Sequence, residues 1–471
     1  MIKYFYLFFC AFFINLGTFA QQDNRICGSE FPPQQWEIEF QRLITEFIRE
    51  HNNNSTQFTS YSIPVIFHVI HGGQPVGTFP NLVQGQIASQ ITVLNQDFIG
   101  NGLNNGTYPA NAFIHWVVNQ NLPQANRDSL GRVKIANLNI LFCLAEKDTN
   151  GNTMPEPGIE RINYISRGWL NPASFITPQT LRAYFDGTIK PQSIWNVRKY
   201  LNIWISDKNA AVQYTGYSTY PPLSGLPGIT IGGSDSTDGI WCYSAALGSS
   251  TIFPGGIYAS PNVKGRTITH EAGHYLGLIH IWGDGNCITD HCNDTPPAFT
   301  SNIGLPVYPL NPGSCNSPSN SPDGEMFMNF MDYTADPGKY MFTVDQGIRA
   351  QIAMLNSPYR NQLGTHGLCT AVIGIYNGGV QELSEEFILY QNYPNPFNPV
   401  TGIKFSIPVP SFVKLIVYNV LGSEVEILLN KYLIPGAYEV EWNAGGYSSG
   451  VYFYKIIAPD FTEMKKMVLI K

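Results

Sequence analysis

Apolar positions along this chain fall mostly in short runs bounded by turn residues, a pattern of strands more than of long helices. YSIPVIFHVIHGG, residues 61–73, is almost continuously apolar and predicts a buried strand stopped by Gly72 and Gly73. RVKIANLNILFCLA (132–145) and KYLNIWISD (199–207) predict further strands, and LVQGQIASQITVLNQDF (82–98) a helix. An earlier stretch, QQWEIEFQRLITEFIREHNNN (34–54), places Trp36, Ile38, Phe40, Leu43, Ile44 and Phe47 on an approximate helical stripe and ends in an Asn run. Residues 283–323 are rich in Gly, Pro, Asn and Asp and are expected to be irregular, pinned by cysteines. Composition shifts near residue 371: AVIGIYNGGVQELSEEF reads as a linker, and residues 387–471 alternate short apolar strands (IKFSIP, VKLIVYNVLG, AYEVEWNAGG, GVYFYKII) with turn signals, at β-sandwich spacing. No internal repeat is present.

The first twenty residues, MIKYFYLFFCAFFINLGTFA, have the form of a secretory signal peptide: Lys3, then an apolar stretch too short to span a bilayer, then TFA before Gln21. No later segment predicts a membrane span. Export permits disulfides, and removing Cys10 with the signal leaves seven cysteines, an odd number. The length of 471 residues allows two or three domains, and 13% charged residues suit a loop-rich extracellular protein. A net charge of −7 without a basic run argues against nucleic-acid binding.

Candidate chemistry concentrates in HEAGHYLGLIH, residues 270–280, which holds three of nine histidines. On a helix His270 and His274 leave one face a turn apart, as two imidazoles on one tetrahedral zinc require. Glu271 lies beside them, where its carboxylate can take a proton from the attacking water and pass it to the leaving amine. Gly277 permits the positive φ that turns the chain, so that His280 returns as a third ligand and a fourth position stays open. Incidental histidines on an amphipathic helix, or a closed structural zinc site, explain fewer of these features.

The HExxHxxGxxH string is the metzincin signature. MNFMDYT supplies Met331 and Tyr333 at the offsets of the methionine turn of that group, 51 residues past His280 for the methionine. The resemblance implies that Met331 floors the site and that Tyr333 assists catalysis with its hydroxyl. Within the metzincins the chain resembles the pappalysin family through IPVIFHVIHGG, LNQDF, KYLNIWISD, HEAGHYLGLIHIWGD, DTPP, MNFMDYT and FTVDQGIRAQ, in that family's order, from about residue 58 to 355. It implies a zinc endopeptidase in which a mixed β-sheet upper subdomain carries the active-site helix above an irregular lower subdomain. MDYTADPGKYMFT lacks the cysteine that relatives often carry, which leaves the pairing of Cys143, Cys242, Cys287, Cys292, Cys315 and Cys369 open. Calcium near the site is a further implication. Asp284, Asp290, Asp294 and Thr295 offer hard oxygen donors for it, and Asx turns in a solvated loop account for the same residues equally well.

RICG, residues 25–28, resembles the cysteine-switch segment of pappalysin-like and matrix metalloproteinase zymogens. Cys27 is then a soft zinc ligand in a latent form, or else a partner in a structural disulfide. YQNYPNPFNPVTGIKFSIP and the strands after it resemble type IX secretion sorting domains, against the alternative of a generic adhesion sandwich. The expected organisation is an α+β chain: signal peptide 1–20, pro-segment 21–57, catalytic domain 58–370, linker 371–386 and C-terminal β-sandwich 387–471. The expected function is a secreted zinc endopeptidase, made as a zymogen, that takes an extended peptide or protein substrate and is exported by type IX machinery. A binding protein on a degenerate protease scaffold and a cell-wall peptide amidase are the alternatives.

Overall fold

The computed structural model describes residues 58–102, 107–222, 232–283, 285–315, 321–368, 386–408, 411–433, 436–458 and 461–471. Signal peptide, pro-segment (with Cys27 and the 34–54 stripe) and nearly all of the 371–386 linker lie outside the described residues, as does Asp284.

The first described body is built on a six-stranded mixed sheet. Strand β1 (Tyr61–His71) is central: β2 (Ile140–Leu144) and β3 (Ile159–Asn163) share one edge of it, and β4 (Leu201–Ser206) takes the other, all parallel. Strand β6 (Ile240–Tyr243) continues parallel to β4, and β5 (Gly216–Ser218) closes the order antiparallel to β6. Both faces of the sheet are covered, which is why β1 and β4 read as mostly apolar runs without a polar face. Ile63, Val65, Phe67 and Val69 of β1, with Leu201, Ile203 and Ile205 of β4, face one core together with helix α1 (Gln84–Phe98) and helix α2 (Arg266–Tyr275). Trp204 and Trp241, the alternate positions, face a second core with Phe185 and Tyr217. Their indole N–H groups donate to Ser193 Oγ at 2.9 Å and Ser206 Oγ at 3.0 Å, so neither is buried unpaired.

The strand expected across 132–145 forms only over Ile140–Leu144. Upstream, the Ala136 and Leu138 amides donate to Phe342 O and Phe98 O, outside any ladder, and Asn139 turns the chain at φ 55°. Residues 285–315 contain neither helix nor strand, as their composition predicts, and Cys287–Cys315 is a disulfide. Cys143 is also disulfide-bonded, whereas Cys242 and Cys292 are buried free thiols. Helix α3 (Val344–Asn356) starts at a capping box in which Gln346 N donates to Thr343 Oγ1 and Thr343 N donates to Gln346 Oε1.

The C-terminal body is an antiparallel sandwich. One sheet runs β10 (Glu424–Leu433), β9 (Ser411–Asn419), β12 (Gly450–Ala458), β13 (Phe461–Leu469); the other runs β11 (Gly436–Asn443), β8 (Val400–Ile407), β7 (Ile388–Leu389). Inward residues such as Ile403, Phe405, Leu415, Val417, Trp442 and Tyr454 form its own core. Among the described residues, no helix is long and apolar enough to cross a membrane.

Candidate metal centre and catalytic cleft

Helix α2 carries the site, and buried polar contacts fix where it starts. Arg266, fully buried, pairs with Asp97 of α1 through Nε and Nη2, both at 3.0 Å, and Thr269 Oγ1 donates to the same carboxylate at 2.7 Å. Asp336 accepts the Lys264 and Arg266 amides at 2.8 and 3.3 Å. Such a pair is worth little against an apolar replacement, but breaking it would strand a buried charge, so it sets register more than stability. At its other end α2 stops where Gly277 takes φ 88°, with Leu278 N bonded to Gly273 O at 3.0 Å. Arg349 of α3 holds that turn by donating from Nη2 to Gly277 O at 2.9 Å. The predicted break at Gly277 is therefore present, and it returns His280 toward the helix.

The three imidazoles meet. Nε2 of His274 lies 3.1 Å from Nε2 of His270 and 3.1 Å from Nε2 of His280. His270 donates Nδ1–H to Phe330 O at 2.7 Å, and His274 donates Nδ1–H to Leu278 O at 2.8 Å. Each of those rings thus presents a bare lone pair at Nε2. Burial, and next the neighbouring imidazoles, hold both well below the ordinary histidine value, so they stay neutral. Lone pairs packed at 3.1 Å repel unless a cation lies among them, and ligands at 2.0–2.1 Å from a tetrahedral metal stand about 3.3 Å apart. The site fits a metal ion. His280 is stacked on Trp282 with ring centroids 4.3 Å apart and planes 6° off parallel, which locks its orientation.

The methionine turn lies beneath. Asn329 Oδ1 accepts Met331 N at 2.9 Å, and Phe330 O is the acceptor that orients His270. Met331 is fully buried against α2, where a Cβ at Gly273 would fall 2.4 Å from its sulfur, so any side chain there would have to displace the methionine. Tyr333 follows with its ring centroid 4.9 Å from that of His280 and 5.7 Å from that of His270. Glu271 is buried against β5: a Cβ at Gly216 would lie 2.9 Å from its Oε1. A cavity of about 20 Å³, enough for one water molecule, is lined by Glu271, His270, Tyr333, Thr267 and Lys339. Lys339 is driven below its ordinary pKa by burial, opposed by Asp336 and Asp332.

His270, Glu271, His274, Gly277, His280, Met331 and Tyr333 are thus brought together. Of the residues expected to hold calcium, Asp290, Asp294 and Thr295 are buried, which departs from a solvated loop, and they lie outside the three-histidine cluster. Asp290 Oδ1 accepts Cys292 N at 3.1 Å, an Asx turn, while Asp294 is raised to about 7 by burial and by Asp345. Sequence reasoning missed Asp97, Arg266, Thr269, Gly216, Gly273 and Trp282. An arginine and a threonine in the first turn of an otherwise buried helix were the available signal.

Three converging imidazoles, a glutamate on the same helix and a methionine turn below them define the centre of a metzincin-type metalloprotease. Residues 250–355 match the family described as pregnancy-associated plasma protein-A, and residues 391–471 match the secretion system C-terminal sorting domain. A promirolysin variant of Tannerella forsythia is 29% identical at a TM-score of 0.51, over 72% of this chain and 97% of that one. Mature mirolysin of the same organism, with a cleaved peptide, is 31% identical over 65% of this chain and 99% of that one, at a TM-score of 0.48. An extracellular metalloprotease of Verticillium alfalfae is 33% identical over 144 residues, 30% of this chain and 46% of that protein. The chain spans about half the length of the first curated relatives it matches. It belongs to the pappalysin family of metzincin metalloproteases and carries a C-terminal secretion sorting domain, which assigns it to the cell surface or the extracellular space.

Proposed function

We propose that the protein is a secreted zinc endopeptidase, made as a latent precursor, that hydrolyses peptide bonds in extracellular proteins. The observation that carries this reading is the convergence of three Nε2 atoms beside Glu271 and a water-sized cavity. His270, His274 and His280 hold the metal, and zinc suits an all-imidazole, three-ligand set with an open position. When bound, zinc supplies Lewis acidity to the scissile carbonyl and the attacking water. Glu271 takes the proton from that water and then delivers it to the leaving amine. Tyr333 donates its hydroxyl to the charge developing on the carbonyl oxygen. Met331 and Gly277 position the ligands without touching substrate. Strand β5 ends the sheet order, and its outer edge receives an extended substrate through backbone hydrogen bonds. Asp290 Oδ2 and Asp294 Oδ1 are buried without hydrogen-bond partners, which supports calcium as an additional, structural ligand there, with Thr295 as a further oxygen donor.

Casein hydrolysis by the processed protein should be abolished by a zinc chelator and restored by added zinc. Hydrolysis unaffected by the chelator rejects metal dependence, and no hydrolysis even in zinc favours a binding protein on a protease scaffold.

The C-terminal sandwich, residues 387–471, is the export address read by type IX machinery. Deleting it should leave an active protease when made recombinantly, yet hold the protein in the periplasm of a type IX-competent host. Fractionation that finds the truncated protein in the medium at normal levels rejects the sorting role.

A further inference from the structure

His274 has a contact at Nδ1 beyond the Leu278 carbonyl. Tyr220, two residues past the end of β5, is buried, and its Oη lies 3.2 Å from that nitrogen. The two rings meet edge to face, with centroids 5.4 Å apart and planes 66° apart. Packing alone would be satisfied by phenylalanine here, because a buried hydroxyl is costly unless it is bonded. A carbonyl can only accept, so Leu278 O takes the Nδ1 proton at 2.8 Å and the Tyr220 oxygen takes the longer branch of the same bond. A single acceptor leaves an imidazole free to swing about that bond. A second acceptor, from another part of the chain, fixes the plane of the ring.

The tyrosine is itself fastened to the helix that carries His274. Thr219 Oγ1 donates to Asp238 Oδ1 at 2.9 Å and accepts the Gly239 amide at 3.0 Å. Asp238 accepts from both terminal nitrogens of Arg360, at 2.7 and 3.0 Å, and Arg360 Nε donates to Tyr275 O at 3.0 Å. Tyr275 follows His274 in α2, so Tyr220, Thr219, Asp238, Arg360, Tyr275 and His274 close a circuit. Asp238 and Arg360 are buried, and parting them would strand a charge, so the circuit is held shut. A buried frame thus sets the distance between phenol and imidazole.

We propose that Tyr220 is a positioning residue for the metal: its hydroxyl oxygen shares the Nδ1 proton of His274 and keeps Nε2 of that ring aimed at the ion. The proposal rests on the metal-centre reading above and adds a residue that lies outside the histidine motif.

Transfer of zinc from the secreted, zinc-loaded protein to a chromogenic chelator tests it. Tyr220→Phe keeps the ring and removes only the oxygen, so zinc should leave roughly tenfold faster than from the parent protein, the lower end of what a lost outer contact costs a histidine ligand. With cobalt in place of zinc, the visible absorption band of Tyr220→Phe should shift, because the ligand field changes. Tyr217→Phe is the control: this tyrosine of β5 is also buried, but its hydroxyl donates to Asp186 at 3.2 Å in the other core. It should keep the zinc release and the cobalt band of the parent. Thr219→Val leaves the hydroxyl in place and cuts the frame at Asp238, and it too should speed zinc release. Zinc release unchanged in Tyr220→Phe, or raised equally in Tyr217→Phe, overturns the proposal while the metal centre stands. If Tyr220→Phe does not fold, Thr219→Val decides, and parent-like zinc release and cobalt band there overturn the proposal. A parent protein that takes up no zinc overturns the metal-centre reading itself.

Discussion

Glu271→Ala should lower peptidase activity by at least about 10²-fold, the scale of a lost general base, while the protein keeps one metal per chain. The two halves of that outcome have separate causes. The metal position is set by three Nε2 atoms, two of them oriented through Nδ1 by Phe330 O and Leu278 O, and none of those contacts involves the Glu271 carboxylate. The carboxylate instead lines the small cavity together with His270, Tyr333, Thr267 and Lys339, a space large enough for the water whose proton it would accept. His280→Ala is the contrasting variant. It removes one ligand and the ring stacked on Trp282, so metal content should fall together with activity. Metal-to-protein ratios by elemental mass spectrometry, paired with casein turnover, distinguish the two. An active Glu271→Ala protein would remove it as the base, and a fully loaded His280→Ala protein would remove that residue from the ligand set.

These expectations were largely legible in the sequence because the motif is local. A helix places i and i+4 together whatever surrounds it, and one glycine at φ 88° suffices to bring His280 round. Central strands were legible for a related reason: burial on both faces leaves β1 and β4 no polar face, and the polar side chains they do bury are paired, His68 with Asn202 at 2.9 Å and Ser206 with the Trp241 indole at 3.0 Å. What was not legible depends on distant partners. Asp97 meets Arg266 across 169 positions, and nothing in LNQDF announces that its carboxylate will be enclosed by α2. Strand β5 is three residues long, too short for any periodicity, yet its Gly216 leaves the space that Glu271 occupies. Which cysteines stay reduced was not legible either. Cys242 is simply a small apolar residue in the core beneath α2, and its thiol is pushed well above the ordinary value by burial, with Glu271 and Asp336 adding to it.

Cys27→Ala should turn a silent precursor into an active one before any cleavage. Cys27 lies outside the described residues, so the expectation rests on chemistry and on the centre it would meet. Three imidazole ligands leave a metal one open position, and a thiolate is a softer and stronger ligand for zinc than water is. A pro-segment that places Cys27 there excludes the nucleophile while it stays attached. Cleavage in NNNSTQ, residues 52–57, would release it. Replacing the sulfur removes the ligand but not the peptide, so activation should be substantial and short of that of the mature enzyme, because residues flanking Cys27 still obstruct the cleft. A structural disulfide at Cys27 predicts the reverse: the variant precursor stays inactive, unfolds at lower denaturant, and shows a new reactive thiol from its former partner. Cys242 and Cys292, both buried, are already thiols in the structure and form the baseline for that count. Peptidase assay and thiol titration of the intact Cys27→Ala precursor therefore decide the matter together. Activity without an added thiol supports the switch, and a silent precursor with one extra thiol ends it.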